Sequence, residues 1–526
     1  MEEPRPPTVE IQAARATGVV AVALVAGNAI SFLKTAIVAA TLGAGWQMDA
    51  FLWAYALVTL FAALLVQPLT AVLVPVFLSL RARSSELARG LINSLLGFSS
   101  AAFIGFGAVL AVSAPTLTRL LLAGMSGEGM ALATNLVWLM LPVVVLSGMW
   151  AVAQAVLTAE KSFFVASLSP YLPTVLVIVA VLAAGETHAA VAQAVGYSIG
   201  AFGQTVLLVW LMRKKGLAGR WTLDPRAGGL RQTVRLLWPL VATQVLILAL
   251  PLVDRTMAAR YEPGAISALA YAQMIMMATV AVVVTAVQTA LLPFLSHQVA
   301  DGNLAAFRET LLRALRLLIA FLLPASFVLI VMAQPTIRLV FERGSFGVSA
   351  TQLTVPAFVA YMVGTVPMAV TFICSRGFNA LQDSRTNALV GVVFLVVVKL
   401  ILNALFARLW GYWGLALATS CAYVATSLAM LWTMGRRLGG LVDRGIGGAT
   451  VRTIAASLIA GSFAWWGGSH VAHGPGASVG LGVALAALAY LLSGYLLRID
   501  EVRSLVTFGV SRLTMSGGKA RQKVVP

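Results

Sequence analysis

Charge is scarce in this chain. Only 10% of its 526 residues are Asp, Glu, Lys or Arg, against 60% hydrophobic residues and a mean hydropathy of +0.93. A soluble globular domain draws about a quarter of its residues from those four types, so a water-soluble fold is excluded. Acid is scarcer than base, 18 residues against 36, leaving a formal net charge of +18. In a soluble protein that excess would suggest nucleic acid. Here the basic residues fall in short gaps between apolar runs, which points to membrane topology and to anionic lipid headgroups, and no nucleic-acid partner is expected. The two cysteines, Cys374 and Cys421, lie inside apolar runs as small hydrophobes and say nothing of redox compartment.

Signatures of catalysis are missing too. There is no Walker A sequence, no GxGxxG opening a helix after a strand, no GxSxG and no HExxH. His470 and His473 share a glycine-rich gap without an acidic companion, so no metal site is expected, and the chain reads as a transporter, not an enzyme. The longest polar gap, from Arg213 to Leu236, holds about two dozen residues, too few for the external domain of a membrane glycosyltransferase or ligase. Without an ATPase signature, transport must draw on an ion gradient, the membrane potential or a partner. No cofactor is expected beyond sodium or a proton as coupling ion.

What fills the chain is apolar sequence. About 20 apolar residues cross a bilayer as a helix. About fourteen such runs occur, at 16–41, 50–78, 91–113, 131–157, 163–184, 190–212, 237–259, 266–295, 314–333, 352–377, 387–407, 412–434, 453–469 and 479–497. The first is too long for a signal-peptide core and lacks a convincing cleavage site, so it is expected to be retained. With the N-terminus cytoplasmic, inward gaps and termini hold about 27 Lys and Arg residues and outward gaps about five, as the positive-inside rule requires. A multi-pass membrane protein with both ends cytoplasmic is the expectation.

An internal repeat organises the runs. LKTAIVAATLGAG from Leu33 parallels DRTMAARYEPGA from Asp254, setting Lys34-Thr35 opposite Arg255-Thr256 and Gly43 opposite Gly264. MDAFLWAYAL then parallels SALAYAQMI, and LVPVFLS parallels LLPFLS. Six helices per repeat, an even number, predict parallel repeats with a binding site at their interface. The expected layout is a cytoplasmic N-terminus (1–15), an N-lobe (16–212), a basic linker (213–236), a C-lobe (237–434), two further helices (435–497) and a basic tail (498–526). The fold class is all-α, two six-helix lobes around a central cavity plus two C-terminal helices.

A charge inside hydrocarbon costs several kcal/mol on most scales, so Lys34, embedded in the first run, invites a functional reading. Asn28, Ser31 and Thr35 share a wet face with it, and Gln244, Pro251 and Arg255 superpose on the seventh run with Asp254 beside them. Two cations at equivalent places would suit an anion, a phosphate or pyrophosphate above all. The bland alternative has Lys34 snorkelling to the headgroups and Asp254 and Arg255 anchoring topology. Asp49, opening the second run, is left open between pairing with Lys34 or Arg255 and answering a helix dipole. Arg376, Asp383 and Arg385 read as an interfacial network, and Lys399 shares a helix face with Asn403. Eight prolines in apolar runs, Pro68, Pro75, Pro142, Pro173, Pro251, Pro293, Pro324 and Pro367, permit bends.

Taken in order, LKTAIVAATLGAGWQMDAF, PLVDRTMAARYEPGAISALAYA, LLPFLS, FERGSF and GFNALQDSRT resemble the MurJ/MviN lipid II flippases, of the multidrug/oligosaccharidyl-lipid/polysaccharide exporter superfamily. That resemblance implies two six-helix lobes with two added helices, and movement of an undecaprenyl-pyrophosphate-linked glycan between leaflets by alternating access. It sets Lys34 where the family has a cavity arginine, Asp49 where it has its aspartate, and an ion-coupling site near Asp254, Asn403 and Thr419; with Arg255, Asn28 and Gln244 from the helix faces above, Lys34 and Asp49 make the expected substrate site. Membrane lipids and cell-wall synthesis proteins are the partners it leaves room for. Where the family usually carries further cavity arginines, this chain has Asn28, an apolar residue near Ala62, and Gln273-Met274. Other readings are a flippase for another polyprenyl-linked polysaccharide unit, a drug or cation exporter, and a non-transporting cell-envelope scaffold.

Overall fold

The structure, a computed structural model, describes residues 9–440, 444–471, 474–504 and 507. The first eight residues, the tail from 508 and His473 lie outside the described residues. All the described regular structure is helical. In chain order the helices are α1 (Val9–Leu42), α2 (Trp46–Ala62), α3 (Val66–Arg81), α4 (Ser85–Leu121), α5 (Gly127–Ala159), α6 (Phe163–Leu168), α7 (Leu172–Lys214), α8 (Leu230–Ala258) and α9 (Ala265–Ala300). They continue as α10 (Leu304–Val331), α11 (Ala333–Phe341), α12 (Val348–Met362), α13 (Thr365–Ala380), α14 (Ser384–Ala388), α15 (Leu395–Trp410), α16 (Tyr412–Arg437), α17 (Arg444–Trp466) and α18 (Pro475–Leu496).

Every apolar run of the sequence lies on one of these helices or on a broken pair. Among the described residues ten helical stretches are long and apolar enough to cross a membrane, eleven when α12 and α13, bent by 45°, count as one span. The protein is thus an all-α, multi-pass membrane protein. About fourteen crossings are compatible with this, because some stretches are longer than one crossing. The stretch Phe164–Lys214 has 51 residues, a rise of about 75 Å, against a hydrocarbon core of about 30 Å. It turns at Gly185, where φ is 67° and ψ is −172°.

Proline explains some of the breaks. The run at 50–78 is divided between α2 and α3 by a turn at Ala63–Leu65. Pro68, third residue of α3, has no N–H for the Leu64 carbonyl, and its ring crowds that carbonyl. Pro367 stands at the same place in α13, just after the bend that follows α12, and Pro173 lies in the first turn of α7. Pro75, Pro142, Pro251, Pro293 and Pro324 instead sit inside unbroken helices.

Two compact units are present. The first runs through Ser267 and takes back Arg343–Ala350; the second holds Ala268–Glu342 and the described residues from Thr351 onward. In the first unit, α3, α4, α5 and α7 enclose Leu73, Phe77, Leu91, Leu96, Val156 and Leu208, all within 1% of full burial. Lipid tails are as apolar as these side chains, so close packing, more than exclusion of water, holds the helices together. In the second unit, α17 and α18 pack on α10 through Val328, Met332, Ala460, Ala464 and Ala486. The network expected around Arg376 is arranged differently there. Asp383 caps α14 through the Thr386 N–H at 3.1 Å and pairs with Arg437 at 2.6 Å, while Arg376 reaches the Gln288 side chain at 3.5 Å.

Candidate substrate-binding site

The site is built in the first unit, where the α1–α2 hairpin meets α7 and α8. Helix α1 ends because Gly43 takes φ +62°, a conformation that disfavours any Cβ. The Arg343–Ala350 segment seats on that turn. The Ser345 N–H donates to the Ala40 carbonyl at 2.8 Å, a Cβ on Gly43 would strike the Ser345 carbonyl, and a Cβ on Gly344 would strike that of Ala40. The two glycines permit a backbone-to-backbone approach that joins the FERGSF motif to the LGAG motif. Gly264, the repeat partner of Gly43, is likewise left-handed, at φ +97°.

Lys34 is half-buried on α1, and its Nζ donates to the Tyr197 hydroxyl of α7 at 3.0 Å. The Tyr197 ring lies 4.9 Å from that of Tyr55 and 6.2 Å from that of Phe51, centroid to centroid. Arg255, from α8, is within electrostatic reach of Lys34, Tyr55 and Tyr197, and its guanidinium donates to the Leu52 carbonyl. The structure therefore brings the two repeat-related cations together around a pair of phenols.

Asp49 does something not foreseen for it. It is 3% exposed, and its carboxylate accepts the N–H of Gly264 at 2.6 Å and of Ser267 at 2.7 Å. Those N–H groups open α9, so Asp49 caps a helix more than two hundred residues away while standing in the first turn of its own. One turn on, the indole N–H of the fully buried Trp53 donates to the Thr256 hydroxyl at 3.1 Å. Asp49, Leu52 and Trp53 thus lace α2 to the end of α8 and the start of α9, which fixes where Arg255 stands.

The remaining predicted residues lie on α1, α8, α15 and α16. Asn28 is exposed on α1, about 9 Å along the axis before Lys34, and Gln244 is half-buried on α8, about 16 Å before Arg255. Asp254 is buried in the first unit; Asn403 on α15 and Thr419 on α16 are buried in the second, where the Thr419 hydroxyl donates to the Leu415 carbonyl at 2.9 Å. Among the described residues no group of three or more His, Cys, Asp or Glu side chains is placed to hold a metal. Tyr55, Tyr197 and Trp53 were not foreseen. A phenol in an apolar run is the one available signal, and it does not distinguish a site residue from an interfacial anchor. Chemically, two cations and two O–H donors can neutralise and orient an anion with several acceptor oxygens.

Long apolar helices, with cations held between two of them, define a multi-pass membrane protein of a transporter fold. A multidrug resistance MATE family transporter of the MOP superfamily, solved in an inward-facing conformation, shares that fold at a TM-score of 0.66, with 14% identity over 78% of this chain and 94% of its own. A lipid II flippase MurJ, in an inward closed conformation, superposes at a TM-score of 0.79, with 19% identity over 93% of this chain and 99% of its own. The chain belongs to the lipid II flippase MurJ family, whose sequence profile matches residues 38–484. It is similar to a probable lipid II flippase MurJ of Synechocystis, 24% identical over 87% of each chain. It is also similar to a lipid II flippase MurJ of Burkholderia cenocepacia, 24% identical over 82% of this chain and 86% of the relative.

Proposed function

We propose that this protein moves an undecaprenyl-pyrophosphate-linked glycan, lipid II first among candidates, from the inner to the outer leaflet by alternating access. The observation that carries this reading is the meeting of Lys34 and Arg255 beside Tyr55 and Tyr197. Like charges held close in a low-dielectric setting repel, and an anion placed between them relieves that repulsion. A pyrophosphate supplies the charge and the acceptors. Asp49 acts by positioning Arg255, and Asn28 and Gln244 extend the polar surface toward the sugars.

In this reading residues 16–212 and 237–434 act as N- and C-lobes, both termini face the cytoplasm, and an ion gradient or the membrane potential drives the cycle. Sodium is the coupling ion, with Asp254, Asn403 and Thr419 each a candidate oxygen donor; a proton is the alternative. Cell-wall synthesis proteins are the partners that would deliver and consume the lipid. A drug or cation exporter would want carboxylates where Lys34 and Arg255 stand. A second polyprenyl-linked glycan is favoured by one feature, the absence of further cations at Asn28, Ala62 and Gln273-Met274.

The test is rescue of a strain depleted of its own lipid II flippase. Growth restored by the wild-type chain, and lost with Lys34→Ala or Arg255→Ala at equal membrane abundance, supports the reading. Rescue indifferent to both substitutions would overturn the site. Failure of the wild type, together with correction of an exopolysaccharide-flippase defect, would select the second glycan.

A further inference from the structure

A second cationic site lies in the other compact unit. Arg308 and Arg316 stand eight residues apart on α10 and both are partly buried. Their Nε atoms are buried, and among the described residues neither has a hydrogen-bond partner. Each arginine lines a cavity of about 330 Å³ on α10, and Arg316 also lines an adjoining one of about 200 Å³, whose wall continues through Arg452 of α17 and Arg498 after α18. A buried guanidinium donor without an acceptor is costly, so two arginines of this kind lining one cavity point to a ligand that brings acceptors.

The carboxylates nearby do not fill that role. Glu309 is engaged by Arg313, at i,i+4 on the same helix. Asp500 and Glu501 lie on the wall of the smaller cavity beside Arg498 and leave both Nε groups unmet. A phosphodiester offers what is missing, two charged oxygens that the guanidiniums lining the cavity can share. The surroundings identify its source. From Arg313 the same face of α10 continues through Leu317 and Phe321, 38% and 39% exposed, and α17 adds Ile454 and Leu458, 38% and 52% exposed. An apolar face running on from Arg313, on the wall of a basic cavity with room for a lipid headgroup, fits an acyl chain, which a soluble phosphate lacks.

We propose that Arg308 and Arg316, with Arg452 and Arg498 at the rim, form a binding site for the phosphate headgroup of an anionic membrane phospholipid. Its acyl chains lie along Leu317 and Phe321. The site is separate from the Lys34 cluster and does not depend on the transport reading, since lipid binding is measured without any flipping.

Full-length protein in dodecyl maltoside is titrated with phosphatidylglycerol bearing a fluorescent acyl chain, with energy transfer from tryptophan as the readout and labelled phosphatidylcholine as the comparison. Phosphatidylglycerol is expected to bind saturably and at least about tenfold more tightly than phosphatidylcholine, and to weaken as NaCl rises from about 50 to about 500 mM. Arg308→Gln/Arg316→Gln should weaken it at least about tenfold, and Arg308→Lys/Arg316→Lys, which keeps both charges, should restore much of the loss. Equal affinity for the two lipids, or an unaltered titration in a monodisperse Gln variant, would overturn the site. Displacement of the lipid by millimolar inorganic phosphate, with the same sensitivity to substitution, would overturn the lipid assignment in favour of soluble phosphate. Where the Gln variant does not purify as a single species, the wild type decides, and binding indifferent to NaCl refutes the proposal.

Discussion

The Asp49 carboxylate on α2 receives the Ser267 N–H at 2.7 Å, across a sequence separation of 218 residues. A helix cap supplied from so far away couples the first repeat's hairpin to the second repeat's equivalent, and its removal should be felt at a distance. Asp49→Ala is expected to destabilise the protein by about 1–2 kcal/mol, with Asp49→Asn losing less because one acceptor oxygen remains. Thermal unfolding in detergent checks this. An Ala variant as stable as the wild type would show that the cap is dispensable.

Lys34 and Tyr197 can be separated by substitution. Tyr197→Phe keeps the ring contact with Tyr55 and removes the hydroxyl that Lys34 uses. It should reduce rescue of a flippase-depleted strain while leaving membrane abundance unchanged, and Lys34→Arg should retain more rescue than Lys34→Ala. Full rescue by Tyr197→Phe would mean that the phenol does not orient the lysine.

The backbone meeting between the α1–α2 turn and Arg343–Ala350 leaves no room for a methyl group. Gly344 has φ +56°, so Gly344→Ala combines an unfavourable backbone conformation with a collision at the Ala40 carbonyl. A loss of about 1–3 kcal/mol is expected. A control at Gly347, where a Cβ meets nothing within 4 Å, should be nearly neutral. Melting temperatures of the two variants, side by side, decide it.

Asp383 provides a pH dependence outside the membrane spans. Its limited burial works against ionisation, but the Thr386 hydroxyl and N–H, then Arg437 and Arg385, prevail and hold the carboxyl below its ordinary value. A depressed folded-state value makes the contribution full above the unfolded carboxyl's range, near about pH 4, and lost as pH falls below it. Stability between about pH 6 and pH 3 should therefore fall less steeply in Asp383→Asn than in the wild type. Parallel slopes would refute the assignment.

Much of this arrangement is legible in the sequence. Apolar runs gave helices, because a chain in hydrocarbon must satisfy its backbone internally. The repeat opposes Gly43 to Gly264, and both are left-handed, since the same turn demands the same residue type twice. The division of 50–78 was less visible, its turn at Ala63–Leu65 being apolar throughout, and only Pro68 downstream betrays it. The partners of Asp49 were not legible at all. They are backbone groups, which no side-chain pattern announces, and they lie in another repeat. Tyr197 escaped for a related reason: its link to Lys34 spans 163 residues and follows no periodicity.

The distant cap also sets an order of events during synthesis. Asp49 enters the membrane long before its partners exist, and at about 5–20 residues per second the intervening chain takes roughly ten to forty seconds to appear. Through that interval a carboxylate destined for burial must stay hydrated, protonated or chaperoned. The first hairpin is made long before the last of its contacts can form.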